Sequence, residues 1–180
     1  MGLDRQTREA CFTRLFEANY SAVRAYAWRR RPDTADDVVS ETFAIAWQRL
    51  ERVPDTPLPW LIGVARNVHR NMERAELRRR QREMRSASTE CGDCVTASVE
   101  MDGSLAEALG RLPEGDREIL LLAAWERLDR AGLAAALGCS KTAAGVRLHR
   151  ARKRLEAALS VVETEDLIGS AQGGGVLNGS

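Results

Sequence analysis

Apolar residues recur along most of this chain at steps of three and four and almost nowhere at steps of two, which predicts helices. Across residues 7–31 the apolar positions Phe12, Leu15, Phe16, Tyr20, Val23, Tyr26 and Ala27 predict two helical stretches, closed by Pro32. Thr34-Ala35-Asp36-Asp37 then resembles a capping box, with Asp37 where Glu or Gln is usual. It opens a helix whose core stripe is Val39, Phe43, Ala46, Trp47 and Leu50, and whose other face carries Asp36, Asp37, Ser40 and Glu41. Pro54, Pro57 and Pro59 mark a short loop. A long helix is expected from near Trp60, with Leu61, Val64, Ala65 and Val68 inward, running on into an arginine-rich stretch.

The periodicity lapses across residues 86–103, which are rich in Ser, Thr, Gly, Asp and Glu and read as a linker. Ser104-Leu105-Ala106-Glu107 is a second capping box, followed by Leu105, Leu109 and Leu112 on one stripe. After Pro113, residues 114–127 predict a helix burying Ile119, Leu120 and Leu122 to Ala124. Residues 164–180 hold much glycine and no Lys or Arg, and read as tail. The expected fold class is all-α: two small helical domains joined by a flexible linker. The N-terminal domain spans residues 8–85, an acidic linker 86–103, a C-terminal helix-turn-helix domain 104–160 and a disordered tail 161–180. Scarce aromatics, at 5%, and an abundance of Ala, Leu, Arg and Glu agree with helices throughout.

The segment from Asp129 to Arg154 carries the most specific signal. Two short apolar helices flank a corner at Gly138, Cys139 and Ser140, where Gly138 supplies a positive φ and Ser140 a cap. Ala144, Leu148, Ala151 and Leu155 line the inward stripe of the second helix. Thr142, Val146, His149 and Arg150 project outward in its first turns, where a recognition helix meets base edges. Lys141, Arg147, Lys153 and Arg154 are placed for phosphates, which position such a domain without reading sequence.

Charge sharpens this picture. The net charge is only +1, yet residues 66–85 hold eight Arg against three Glu, and residues 141–155 hold six Lys or Arg and no acid. Between them, residues 90–118 carry eight acids and two Arg. Such segregation points to two basic faces that meet phosphate. No apolar run is long enough to span a bilayer, and no basic-then-apolar leader opens the chain, so a cytoplasmic protein with reduced thiols is expected. Cys91-Gly-Asp-Cys94 has a metal- or disulfide-compatible spacing, but zinc needs about four ligands and no partners stand in step. Two linker thiols and no metal or other cofactor are the reading. No phosphate loop, nucleophile signature or HExxH is present, so no enzyme and no catalytic residue is expected.

Four motifs in register, DDVVSETFAIAW (36–47), PWLIGVARNVHRN (59–71), LPEGDREILLL (112–122) and the helix-turn-helix through LHRARKRL (148–155), resemble a sigma factor of the extracytoplasmic-function (ECF) branch of the sigma-70 family. The resemblance covers residues 8–160. It implies a transcription initiation factor that binds core RNA polymerase, on its β′ coiled coil and β flap, and promoter DNA, and that is held by an anti-sigma factor. Asp36, Asp37, Glu41 and Trp47 match the core-binding motif. Arg52, Val53, Asn67, Arg70 and Arg74 fall in the part that implies −10 recognition, where a flipped base can be read on its hydrogen-bonding edge. Lys141, Thr142, Val146, Arg147, His149, Arg150, Lys153 and Arg154 fall in the −35 reader. The chain departs from the family pattern at Ser40, usually Gln, at Gly145, usually Lys or Arg, and across residues 126–132, which usually include a Tyr. Two alternatives stand beside it: a conventional dimeric regulator with one helix-turn-helix, against which the second basic helix speaks, and a metal- or redox-responsive switch on Cys91 and Cys94.

Overall fold

A computed structural model describes residues 4–84 and 103–172; the linker segment with Cys91 and Cys94 lies outside the described residues. Every regular element among the described residues is helical: α1 (Arg5–Arg30), α2 (Ala35–Gln48), α3 (Pro57–Met84), α4 (Gly103–Gly110), α5 (Glu114–Ala124), α6 (Arg130–Leu137) and α7 (Lys141–Gln172), with 3₁₀ turns at Pro32–Thr34 and Leu50–Arg52. By mutual contact the described residues form two compact units, 4–84 with 131–139, and 103–130 with 140–172.

In the first unit α1, α2 and α3 pack on one another. Residues 5–30 form one helix of 26 residues, where the sequence suggests two stretches. Nothing in between breaks it, and Asp4 caps it by accepting hydrogen bonds from the Thr7 backbone N–H at 3.1 Å and its hydroxyl at 2.6 Å. The expected capping box at Thr34 does not form: its side chain makes no cap bond. The 3₁₀ turn runs straight into α2 instead, and the Ala35 N–H bonds back to Pro32 O. Asp36 and Asp37 still stand in the first turn, where the helix dipole favours acids. α3 begins at Pro57, three residues before the expected start, because Pro57 and Pro59 sit in the first turn, where no intrahelical N–H is needed. The core comprises Val23, Tyr26, Ala27, Val38, Val39, Phe43, Ala46, Leu61, Ile62, Ala65 and Val68. Phe12, Phe16 and Phe43 form its aromatic edge, with ring centroids 4.7–6.4 Å apart.

In the second unit α4 and α5 both pack on α7. α4 is helical from Gly103, so Ser104 stands inside its first turn and not at its cap. Glu107, the other half of the expected box, instead accepts from Arg111 at 2.7 Å. The carbonyl end of α4 is closed by Arg117, whose guanidinium donates to Leu109 O, Gly110 O and Leu112 O at 2.8, 2.9 and 3.2 Å. α5 ends at Ala124, short of Arg127, and Ala124 is exposed; Arg127 takes a left-handed φ of +50°, and the Leu128 side chain is buried. The tail expected from residue 161 is a helix through Gln172. Ala157, Ala158 and Leu159 favour helix, Val162 is fully buried, and Ser160 and Thr164 donate back to the carbonyls four residues earlier.

Gly63, on α3, shows why a small residue is needed in the first unit. A Cβ there would stand 3.0 Å from Ala136 O and 3.1 Å from Ala136 Cα. Those are backbone atoms and cannot swing away. Gly63→Ala is expected to loosen residues 133–137, speeding their amide hydrogen exchange at least several-fold relative to α1. Unchanged protection in that segment would count against the contact.

Candidate nucleic-acid interface

The corner before α7 is built as its sequence requires. Gly138 has φ +65°, and the Cys139 N–H bonds to Ala134 O at 3.0 Å, closing α6 with a Schellman-type turn. Ser140 Oγ then accepts from the Ala143 N–H at 3.1 Å and caps α7. Ala144, Leu148 and Ala151 are buried and Leu155 is half-buried. At 3.6 residues per turn, burying that stripe turns Thr142, Val146, His149, Arg150 and Lys153 to the opposite side, and all five are exposed. Val146 is an apolar side chain 44% exposed in the middle of this polar face, as a contact to a thymine methyl would need. Lys141, Arg147 and Arg154 flank the stripe and are exposed too. Arg154 is shared: its guanidinium pairs with Asp116 and ties α5 to α7.

The same logic operates on α3. Leu61, Ala65 and Val68 are buried, so Asn67, Arg70 and Arg74, at steps of three and four, share the opposite row. Asn67 and Arg74 are exposed and Arg70 is half-buried. Arg78, also exposed, continues that row and was not singled out from the sequence, where it merges into a run of arginines. Arg52 is exposed at the end of its 3₁₀ turn and Val53 is half-buried just after it; the loop before α3 is only residues 53–56.

On α2, Asp36, Asp37, Ser40 and Glu41 form an exposed strip. Arg24 reaches Asp36 at 3.6 Å, a solvent-exposed pair that contributes little. Trp47 sits at the strip's edge, half-buried. Its ring lies against Phe12, centroids 5.1 Å apart, and under the Arg8 guanidinium at 4.9 Å, and Arg8 also donates to Trp47 O at 2.8 Å. Trp47 therefore anchors α2 on α1 beside the acidic residues.

Behind the row on α3, charged groups fix the helix to the end of α1. Arg31 donates to Glu76 at 2.9 Å and to Asp33 at 3.1 Å, and Glu76 also accepts from Arg80 at 2.6 Å. Arg31 and then Arg80 hold the Glu76 carboxyl below its ordinary range, and Glu76 raises the Arg31 guanidinium in turn. His69 is buried, with Nε2 at 3.1 Å from Glu73. Burial pushes its imidazole down; Glu73 opposes this, while Arg30 and Arg31 add to it. Among the described residues no group of three or more His, Cys, Asp or Glu could hold a metal ion, and no helix is long and apolar enough to cross a membrane. Cys11 and Cys139 are half-buried free thiols.

Comparison with known proteins matches both halves. A family model described as Sigma-70 region 2 matches residues 15–83, and one described as Sigma-70, region 4 matches residues 102–155. The chain is 33% identical over 147 residues to the RNA polymerase sigma factor CnrH of Cupriavidus metallidurans, covering 71% of this chain and 75% of that protein. It is 33% identical over 142 residues to the ECF RNA polymerase sigma factor EcfG of Rhodopseudomonas palustris, covering 74% and 76%. Among solved structures it is similar to the sigma factor RpoE in complex with the anti-sigma factor NepR from Bartonella quintana, with TM-score 0.56 and 25% identity over 83% of this chain and 97% of that one. It is also similar to CnrH in complex with the cytosolic domain of CnrY, with TM-score 0.53 and 28% identity over 83% and 88%.

The lowered imidazole has a consequence for stability. The unfolded chain takes up a proton on His69 at a higher pH than the folded one does. Stability is therefore full above the ordinary imidazole range and is lost as pH falls towards the depressed folded value. Glu76 acts in the same direction at lower pH. The melting temperature of the wild-type protein should fall between about pH 7.5 and about pH 5.5, and less steeply in His69→Gln. Parallel profiles for the two proteins would show that His69 does not titrate in this way.

Proposed function

The chain belongs to the sigma-70 family, in its ECF branch, and on that premise we propose how its surfaces divide the work of an RNA polymerase sigma factor in transcription initiation. The acidic strip of Asp36, Asp37 and Glu41, steadied by Trp47, docks on core polymerase. The row of Asn67, Arg70 and Arg74, with Arg52 and Val53 in the adjoining loop, takes the −10 element. Asn67 offers both a donor and an acceptor to the edge of an unstacked base, and the arginines hold the flanking phosphates. Thr142, Val146, His149 and Arg150 face the bases of the −35 element in the major groove, with Lys141, Arg147, Lys153 and Arg154 towards the backbone. The functional domains are proposed to follow the two matched segments, residues 8–85 and 104–160, joined by the segment between, although residues 131–139 belong by contact to the first compact unit. The protein acts in the cytoplasm, without catalysis of its own. The solved relatives that it resembles are held by an anti-sigma factor or by a cytosolic partner domain, and a partner of the anti-sigma class is proposed for this chain.

The observation that carries this reading is the pairing of two exposed cationic helix rows, one in each matched segment, each opposite a buried apolar stripe. Run-off transcription with purified core polymerase and genomic fragments tests it: defined transcripts should appear only when the protein is added. Failure of the protein to associate with core polymerase would sink it. Within a working system, Arg150→Ala should lower selectivity among upstream elements by roughly 1–3 kcal/mol while leaving polymerase binding intact. An equal loss on every upstream sequence would assign Arg150 to phosphate alone.

A further inference from the structure

Gly145 lies in the second turn of α7, four residues after Lys141 and four before His149, so the three share one row. Both neighbours are exposed side chains, and the middle place carries none. That place is nevertheless occupied. A Cβ built on Gly145 would stand 3.7 Å from Cδ of Arg130 and 4.0 Å from its Nε, and among the described residues no other atom outside α7 comes within 4 Å. Arg130 is the first residue of α6; it is exposed, and among the described residues no carboxylate pairs with it.

We infer that Arg130 is a DNA-contacting residue of the helix-turn-helix, laying its stem over the bare backbone at Gly145 and supplying a guanidinium to the row of Lys141 and His149. The Lys141–Gly145 end of the row stands at the border between the outward stripe and the buried one, alongside Arg152, and that flank of a recognition helix meets the DNA backbone. The group recognised is a phosphate diester beside the bases faced by Thr142 and Val146. The electrostatics point the same way. Lys141 and Arg152 project to the same flank of α7 as Gly145, and residues 141–155 contain no acid. Cations presented on one flank favour the approach of a polyanion. Arginine suits the role better than lysine, because its planar fork can bridge two phosphate oxygens while its stem packs. At Gly145, where the chain departs from the family pattern, the cation thereby reaches the row from α6 instead of from α7.

The inference rests on α7 facing DNA as proposed above, and the test separates the two. Wild type, Arg130→Ala, Arg130→Lys and the double variant Arg130→Ala with Gly145→Lys are each assembled with core polymerase. Binding is measured over a KCl series on a promoter fragment that gives a run-off transcript with wild type. Arg130→Ala should weaken binding about five- to tenfold near physiological salt and reduce the slope of log K against log salt by about 0.9, the loss of one phosphate contact. Arg130→Lys should keep most of the slope, and Gly145→Lys should restore it to the alanine variant from the other helix. A slope unchanged in Arg130→Ala, or a loss that neither cation restores, overturns the inference and makes Arg130 a packing residue. If wild type neither transcribes nor retains DNA on polymerase, the functional reading fails first and takes this inference with it.

Discussion

Burial of one stripe on each long helix is the constraint from which the rest follows. An α-helix has 3.6 residues per turn, so fixing a buried row also fixes the row opposite. On α3 the fixed row is Leu61, Ala65 and Val68, and on α7 it is Ala144, Leu148 and Ala151. The aim of Asn67, Arg70 and Arg74, or of Thr142, Val146 and Arg150, needs no separate device. A one-residue slip in either stripe would rotate those side chains by about 100° and aim them elsewhere. Fold stability and the aim of the two outward cationic rows are thus set by the same contacts.

The cations divide accordingly into those that hold the fold and those left for a ligand. Arg31 bridges Asp33 and Glu76, Arg117 closes the end of α4, and Arg8 covers Trp47. Each binds groups within its own unit. Arg154 stands between the classes, since Asp116 engages it on the side of α7 next to the proposed phosphate contacts. That pairing sets the pose of α7 on α5, so Arg154 contributes to orientation even where it does not touch DNA.

Much of this was legible in the sequence because the signals are local. Gly138 and Ser140 announce the corner through φ and capping chemistry, and the apolar steps of α2, α3 and α7 announce their buried rows. What the sequence misled about depends on partners that it does not display. Thr34 reads as a cap, but as the last residue of a 3₁₀ turn its backbone, at φ −115° and ψ 5°, is not the extended one a capping side chain uses; Glu107 reads as a box partner, but Arg111 takes its carboxylate. Pro57 and Pro59 read as loop, although a helix accepts proline in its first turn. The end of α7 looked like tail because the glycines near the terminus dominate its composition, while Val162 shows that the helix buries a side chain beyond residue 160. Arg130 could not be found from spacing, since it belongs to one helix and works on the row of another.

Two glycines lie within the rows proposed to face DNA, and each leaves room for a different occupant. Glycine in a helix interior costs about 1 kcal/mol relative to alanine, so a sequence that keeps it there gains something by having no side chain. Gly63 precedes Asn67 by four residues in the row on α3, and the room that it leaves is taken by the backbone of Ala136. Gly145 occupies the matching place between Lys141 and His149 on α7, and its room is taken by the flexible end of Arg130. The difference in occupant decides the consequence. Backbone at 3.0 Å leaves no tolerance for a larger residue, so Gly63 is a packing requirement. A side chain at 3.7 Å would tolerate a methyl group, so close packing does not account for Gly145. A long side chain at 145 would instead share the space along which the Arg130 stem runs, so the two positions compete for one place on the proposed DNA-facing flank.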